Sequence, residues 1–302
     1  MTGWLEIGSA LFLWPGLLGG SALAWLLLWI QRKLTARLQG RLGPPFYQPF
    51  FDFVKLLGKE TVLPEGVSRR PLYALPLASA AAAIGALGVL PAPGSPLGPL
   101  PGDLIVLLYL LEVPAVCEVL AGYGSRSLYG QLGSAREAIL WLGYSLPFLA
   151  AVLSLAIQAK SLSLRVLAGL PFGPVHLAAA LAFLLALPAR LKRNPFSIPN
   201  AEQEIVAGPL VEYSGAPLAI FELSHALELV ALAGLFALLF FPSASAPGPR
   251  WLSYGLGSAT LVALLTLAAT ATARLTLRRA FRFYWGWGAC AAAVSLLAAG
   301  IR

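Results

Sequence analysis

The sequence predicts an all-α integral membrane protein of about eight transmembrane helices, with an additional amphipathic helix lying in the membrane interface. Three observations predict this class. Hydrophobic residues make up 58% of the 302-residue chain and charged residues only 11%, against roughly 25% charged in a soluble domain. Mean hydropathy is +0.78, and apolar stretches near the ~20 residues that cross a bilayer recur along the chain. Runs such as Ala78–Leu90 show none of the polar–apolar alternation of a closed barrel. No soluble domain or low-complexity tail stands apart, so residues 1–302 read as a single membrane domain.

Taken in order, the expected spans are about Ile7–Ile30, Leu72–Leu90, Asp103–Gly122, Glu137–Ile157, Gly169–Pro188, Pro217–Phe241, Trp251–Ala273 and Phe283–Ile301. The first is not a cleavable signal, because MTGWLEIGSA has no basic leader. Basic residues mark the cytoplasmic side of a membrane protein, and an eight-span layout sorts them sharply. The connections after spans one, three, five and seven hold 17 of the 21 lysines and arginines; Lys160, Arg165, Arg250 and Arg302 fall on the other side. The expected orientation is therefore N-out and C-out in the cell membrane. The same sorting accounts for the net charge of +8, so nucleic acid is not expected as a partner.

The outer connections, Pro91–Gly102 and Pro242–Arg250, are short and rich in proline and small residues, as plain connectors are. The cytoplasmic ones are denser. In the first, Phe50, Phe51, Val54, Leu56 and Leu57 oppose Asp52, Lys55, Lys59 and Glu60, the pattern of a helix lying in the interface. It can serve as an anchor or as a docking platform. In the third, Arg190–Gly215 is a polar island of basic residues, glutamates and prolines between two apolar runs.

Carboxylates inside a bilayer are costly and are retained for a reason. Glu112 and Glu118 fall in the third span, Glu222 and Glu228 in the sixth, and Glu137 at the mouth of the fourth. Members of each pair are about 9 Å apart along a helix and about 120° apart around it. His225 sits three residues from both Glu222 and Glu228 and bridges their faces. Pro114 removes a backbone donor beside Glu112, and a freed carbonyl can hold water. No basic residue lies inside these spans, so the four carboxylates are expected to be unpaired and to line a hydrated proton pathway. The competing reading is interhelix hydrogen bonds or ion pairs, such as Glu137 with Arg136 or Arg126.

Other chemistries find little support. Cys117 and Cys290 form no CxxC or Cys/His cluster, and His176 and His225 are too few for a metal site. No Ser/His/Asp set, phosphate-cradling loop or nucleotide fingerprint is present. A free-standing secondary transporter would be expected to show internal inverted repeats, and none is evident.

Three motifs carry a family resemblance: RLQGRLGPPFYQPFFDFVKLLGKE (Arg37–Glu60), GYGSRSLYGQLGSAREA (Gly122–Ala138) and NPFSIPNAEQEIVAGPLVEYSGAPLAIFEL (Asn194–Leu223). They resemble respiratory complex I subunit 1 and the matching membrane subunit of energy-converting (group 4) [NiFe] hydrogenases, such as formate hydrogenlyase subunit 4. The resemblance implies a membrane anchor that couples redox chemistry to ion movement. It adds Glu202, Glu204 and Glu212 to the proton-pathway candidates. It also implies a docking face including Arg37, Arg41, Asp52, Lys55, Glu60, Arg190, Arg193 and Tyr213. Partners would be hydrogenase-like large and small subunits, iron–sulfur subunits and antiporter-like membrane subunits. The NiFe centre and iron–sulfur clusters would lie in those partners, with no cofactor in this chain. Quinone-using members usually read GPNR and SYE where this chain has GPPF (Gly43–Phe46) and GYS (Gly143–Ser145). Together with the ending RRAFRFYWGWGAC (Arg278–Cys290), these departures favour the hydrogenase branch, with the quinone-reducing branch as the alternative.

Overall fold

The computed structural model describes residues 2–62, 66–97, 102–241 and 247–300, except for the side chains of residues 2, 202 and 247–249. The described chain is helical: α1 (Thr2–Phe12), α2 (Leu17–Leu38), α3 (Gln48–Leu57), α4 (Arg69–Val89), α5 (Asp103–Gly124), α6 (Leu128–Ala159), α7 (Leu164–Ala168), α8 (Pro174–Arg190), α9 (Glu202–Ile205), α10 (Gly215–Phe240), α11 (Pro247–Ala271), α12 (Leu277–Phe283) and α13 (Ala289–Gly300). A π-helical turn, Tyr284–Gly288, joins the last two. In lipid a helix satisfies its own backbone hydrogen bonds, so apolar sequence of this length has few other stable forms.

Seven segments are long and apolar enough to cross a bilayer, and α8, at 17 residues, is the shorter eighth. The first is broken: α1 stops at Phe12 and α2 starts at Leu17, with Pro15 and Gly16 between them. Gly16 is packed so tightly that a Cβ there would collide with the Leu11 carbonyl. α6 begins nine residues before its expected start, which moves Glu137 from the mouth of the span to its interior.

α10 is the central helix. Its most apolar stretch is 83% buried by the rest of the chain, against 28–56% for the other long segments. It packs on α2, α3, α4 and α11, while α6 and α8 form the other broad contact. The core is built from Leu, Ala and Phe, with Phe148, Phe183, Phe236 and Phe240 in contact across α6, α8 and α10.

The amphipathic helix is present as α3. Phe50 packs edge-on against Trp25 of α2, Phe53 lies against the same ring, and Arg32 bonds Asp52 at 2.5 Å. Phe51, Val54 and Leu57 stay exposed. The polar island differs from the expected solvated loop, because Phe196, Ile198, Ala201, Leu210 and Tyr213 are buried. Arg136 of α6 bonds Glu204 at 2.5 Å, and Arg274 bonds Ser197 and Gln203. Ser214 accepts from the Val62 amide of the first connection. The cytoplasmic connections are thus tied to one another.

Candidate functional site

α8 ends at Arg190, and its partners lie near the middle of two longer helices: Glu112 of α5 and Glu228 of α10. The short α8 therefore stops deep in the bundle. The loop that follows is tolerated there because protein surrounds it. Cations are favoured at a helix C-terminus by the backbone dipole, and the carboxylates reinforce that preference.

The Arg190 guanidinium donates through Nη1 to Glu112 Oε1 at 2.7 Å and through Nε to Glu228 Oε1 at 3.1 Å. Its Nη2 donates to the Leu111 carbonyl oxygen. The Phe148 ring lies 4.6 Å beneath it and the Tyr144 ring 5.9 Å. Trp141 Nε1 donates to the other oxygen of Glu112. Acceptors and aromatic rings surround this cation, and its side chain is 1% exposed.

A second group adjoins it. Glu118, also buried, shares Oε2 between Lys192 Nζ and His225 Nε2, the latter at 3.1 Å; its Oε1 has no partner among the described residues. Burial pushes the Lys192 ammonium down to about 8, against the opposing pull of Glu228 and Glu222. A cavity of about 200 Å³ opens between the two groups, walled by Arg190, Lys192, Arg193, Glu222, His225 and Glu228 among others. At ~30 Å³ per molecule, that is room for on the order of six waters.

Glu137 is fully buried. Tyr144 Oη points to its Oε1 at 3.5 Å, and Oε2 has no partner among the described residues. Because Tyr144 also lies under Arg190, it stands between the two groups. Arginine keeps its proton in proteins, so Arg190 is a fixed charge. Glu, His, Lys and Tyr are the groups here that can pass a proton to cavity water.

The sequence-predicted residues divide accordingly. Glu112, Glu118, Glu228 and His225 converge, with Glu222 exposed at the cavity wall and Glu137 one step away through Tyr144. The expectation that the carboxylates lie unpaired is wrong for Glu112, Glu118 and Glu228, because Arg190 and Lys192 reach in from the end of α8 rather than from within a neighbouring span. Arg136 pairs with Glu204, not Glu137, and Glu212 is half-buried on the loop. The Glu202 side chain lies outside the described residues.

Of the docking candidates, Arg37, Arg41, Lys55 and Glu60 are exposed. Burial, the largest influence on Asp52, raises its pKa, but Arg32, Gln48 and Lys55 together hold it below the usual carboxylate range. Arg190 and Tyr213 are not surface groups: both are buried within this chain, and burial pushes the Tyr213 phenol up to about 12, with Cys117 adding to the rise. Arg193 is half-buried at the cavity. Sequence reasoning missed the roles of Lys192, Trp141 and Tyr144. The apolar run that continues through Ala189 was the signal that Arg190 belongs to the helix.

The family model described as NADH dehydrogenase matches residues 15–300. The chain belongs to the NADH dehydrogenase family. This family member is 34% identical over 234 residues, 71% of each chain, to an NADH-quinone oxidoreductase membrane-family protein of Syntrophobacter fumaroxidans. It is 32% identical over 234 residues, 72% of this chain and 69% of the relative, to "NADH-quinone oxidoreductase subunit 8" of Rhodothermus marinus. Among solved structures, a chain of the membrane-bound sulfane sulfur reductase, an archaeal respiratory membrane complex, matches with a TM-score of 0.87 and 25% identity, covering 99% of this chain and 100% of that one. The resemblance carried by the three motifs thus holds at the level of the family, and the chain is a multi-pass membrane subunit of complex I-like type.

Proposed function

We propose that this chain couples redox chemistry in a soluble arm, seated on its cytoplasmic face, to ion translocation across the membrane. The observation that carries the reading is the Glu112–Arg190–Glu228 chain buried in mid-bundle beside a hydratable cavity. Buried charges of this kind cost stability, and a passive anchor has no use for them. The exposed Arg37, Arg41 and Lys55 beside the open face of α3 supply the seat for the arm. The distribution of basic residues supports the N-out, C-out orientation.

The names of the relatives favour quinone as the electron acceptor, so the quinone-reducing complex is the leading form of the proposal. A second form, the energy-converting hydrogenase type, is favoured by GPPF at 43–46, GYS at 143–145 and the RRAFRFYWGWGAC ending. The native complex, purified through this chain, decides between them. NADH-driven quinone reduction with no nickel supports the first, and H2 evolution with bound nickel supports the second. A chain that purifies alone and transports ions unaided would overturn both.

A further inference from the structure

The end of the bundle opposite the charged cluster holds a second and larger cavity. It is about 790 Å³, opens at the surface, and lies between the segment after α4, the α7–α8 connection and the facing ends of α10 and α11. Arg165 and Arg250 stand on its walls, both exposed, and neither has an ion-pair partner among the described residues. No aspartate or glutamate lines it. Deeper in, His176 is 1% exposed and its Nδ1 has no hydrogen-bond partner among the described residues; the same holds for the buried Oγ of Ser95. Polar atoms buried without partners are uncommon, and each calls for an explanation.

The walls are built rather than incidental. Asp103 Oδ1 accepts from the Leu164 amide at 2.8 Å, which fixes the start of α7 and with it Arg165. Trp14 donates to the Pro93 carbonyl at 2.8 Å and packs on Trp251, which backs Gly94 so closely that a Cβ would come within 2.9 Å. Phe172 and Phe241 make part of the lining apolar.

We propose that this cavity binds a phosphate group, presented by the headgroup of an anionic phospholipid. Two arginines without acidic neighbours match a phosphate's charge and geometry. The Ser95 hydroxyl and the His176 imidazole can each hydrogen-bond its oxygens. The apolar wall at a bundle end suits the glycerol and first acyl carbons, which free phosphate would leave uncovered. The site is at the far end of the molecule from the coupling cluster and does not depend on the function proposed above.

The test uses the purified complex, delipidated and placed in nanodiscs of phosphatidylcholine, with or without phosphatidylglycerol. Native mass spectrometry reads retained lipid, and hydrogen–deuterium exchange reads protection of residues 165–172 and 91–95. The wild-type complex is expected to retain phosphatidylglycerol and gain protection. Arg165→Gln/Arg250→Gln is expected to bind it at least about tenfold more weakly, the scale of lost charge-assisted hydrogen bonds. Arg165→Lys/Arg250→Lys, which keeps the charge, should fall between. Protection by millimolar inorganic phosphate without any effect of phosphatidylglycerol would support the phosphate site and overturn its lipid source. No protection by either, or an equal loss in an Arg278→Gln/Arg279→Gln control at the opposite end, overturns the proposal.

Discussion

Replacing Arg190 by glutamine removes the one cation shared by Glu112 and Glu228. At an effective dielectric of ~20, charges 2.7 and 3.1 Å apart attract by about 6 and about 5 kcal/mol before desolvation is counted. Dehydrating three ions cancels much of that attraction in the native protein, but deleting the cation leaves two buried carboxylates facing each other. The expected loss is about 3–5 kcal/mol, as for other broken buried pairs, with further loss from the contact over Phe148. Glu112→Gln/Arg190→Met/Glu228→Gln, which has no charge left to solvate, should recover most of that stability. It should not recover ion coupling, because the carboxylates that exchange protons are gone. The assay pairs thermal unfolding of the reconstituted complex with proton uptake by inverted vesicles, normalised to redox turnover. Wild-type stability in Arg190→Gln would refute the energetic reasoning, and wild-type proton uptake in the triple variant would refute the coupling role.

Three further outcomes are expected. Lys192 titrates near pH 8 because it is buried. Its positive charge is present below that value and lost above it, so proton uptake per turnover should decline as pH rises through about 8; Lys192→Arg, which stays charged, should move the decline to higher pH, and an unchanged profile would exclude Lys192 from the pathway. Gly133→Ala places a Cβ 2.6 Å from backbone atoms of Gly208 and Pro209; it should cost about 1–3 kcal/mol in thermal unfolding, whereas Gly124→Ala, with open space around it, should not destabilise. Arg37→Glu/Arg41→Glu should weaken co-purification of the soluble arm, and more so at low salt, where exposed charges are least screened; association that ignores both substitution and salt would remove this face from the docking surface.

Hydropathy and basic-residue placement were enough to assign the membrane class, the approximate spans and the interfacial α3. Lipid solvation acts on every residue of a span, so its signature accumulates locally along the chain. The family, too, was legible in three contiguous motifs. The pairing of charges was not. Glu112, Arg190 and Glu228 come from three segments, and only packing reveals that α8 ends early enough for Arg190 to reach both carboxylates at mid-bundle. The same holds for the inward-folded loop, whose polar composition reads as solvated while Phe196 and Tyr213 seat it in the core. Composition told where charge is expensive; tertiary structure decided which charge answers it, because Coulomb energy depends on distances across the bundle that spacing along the chain does not encode.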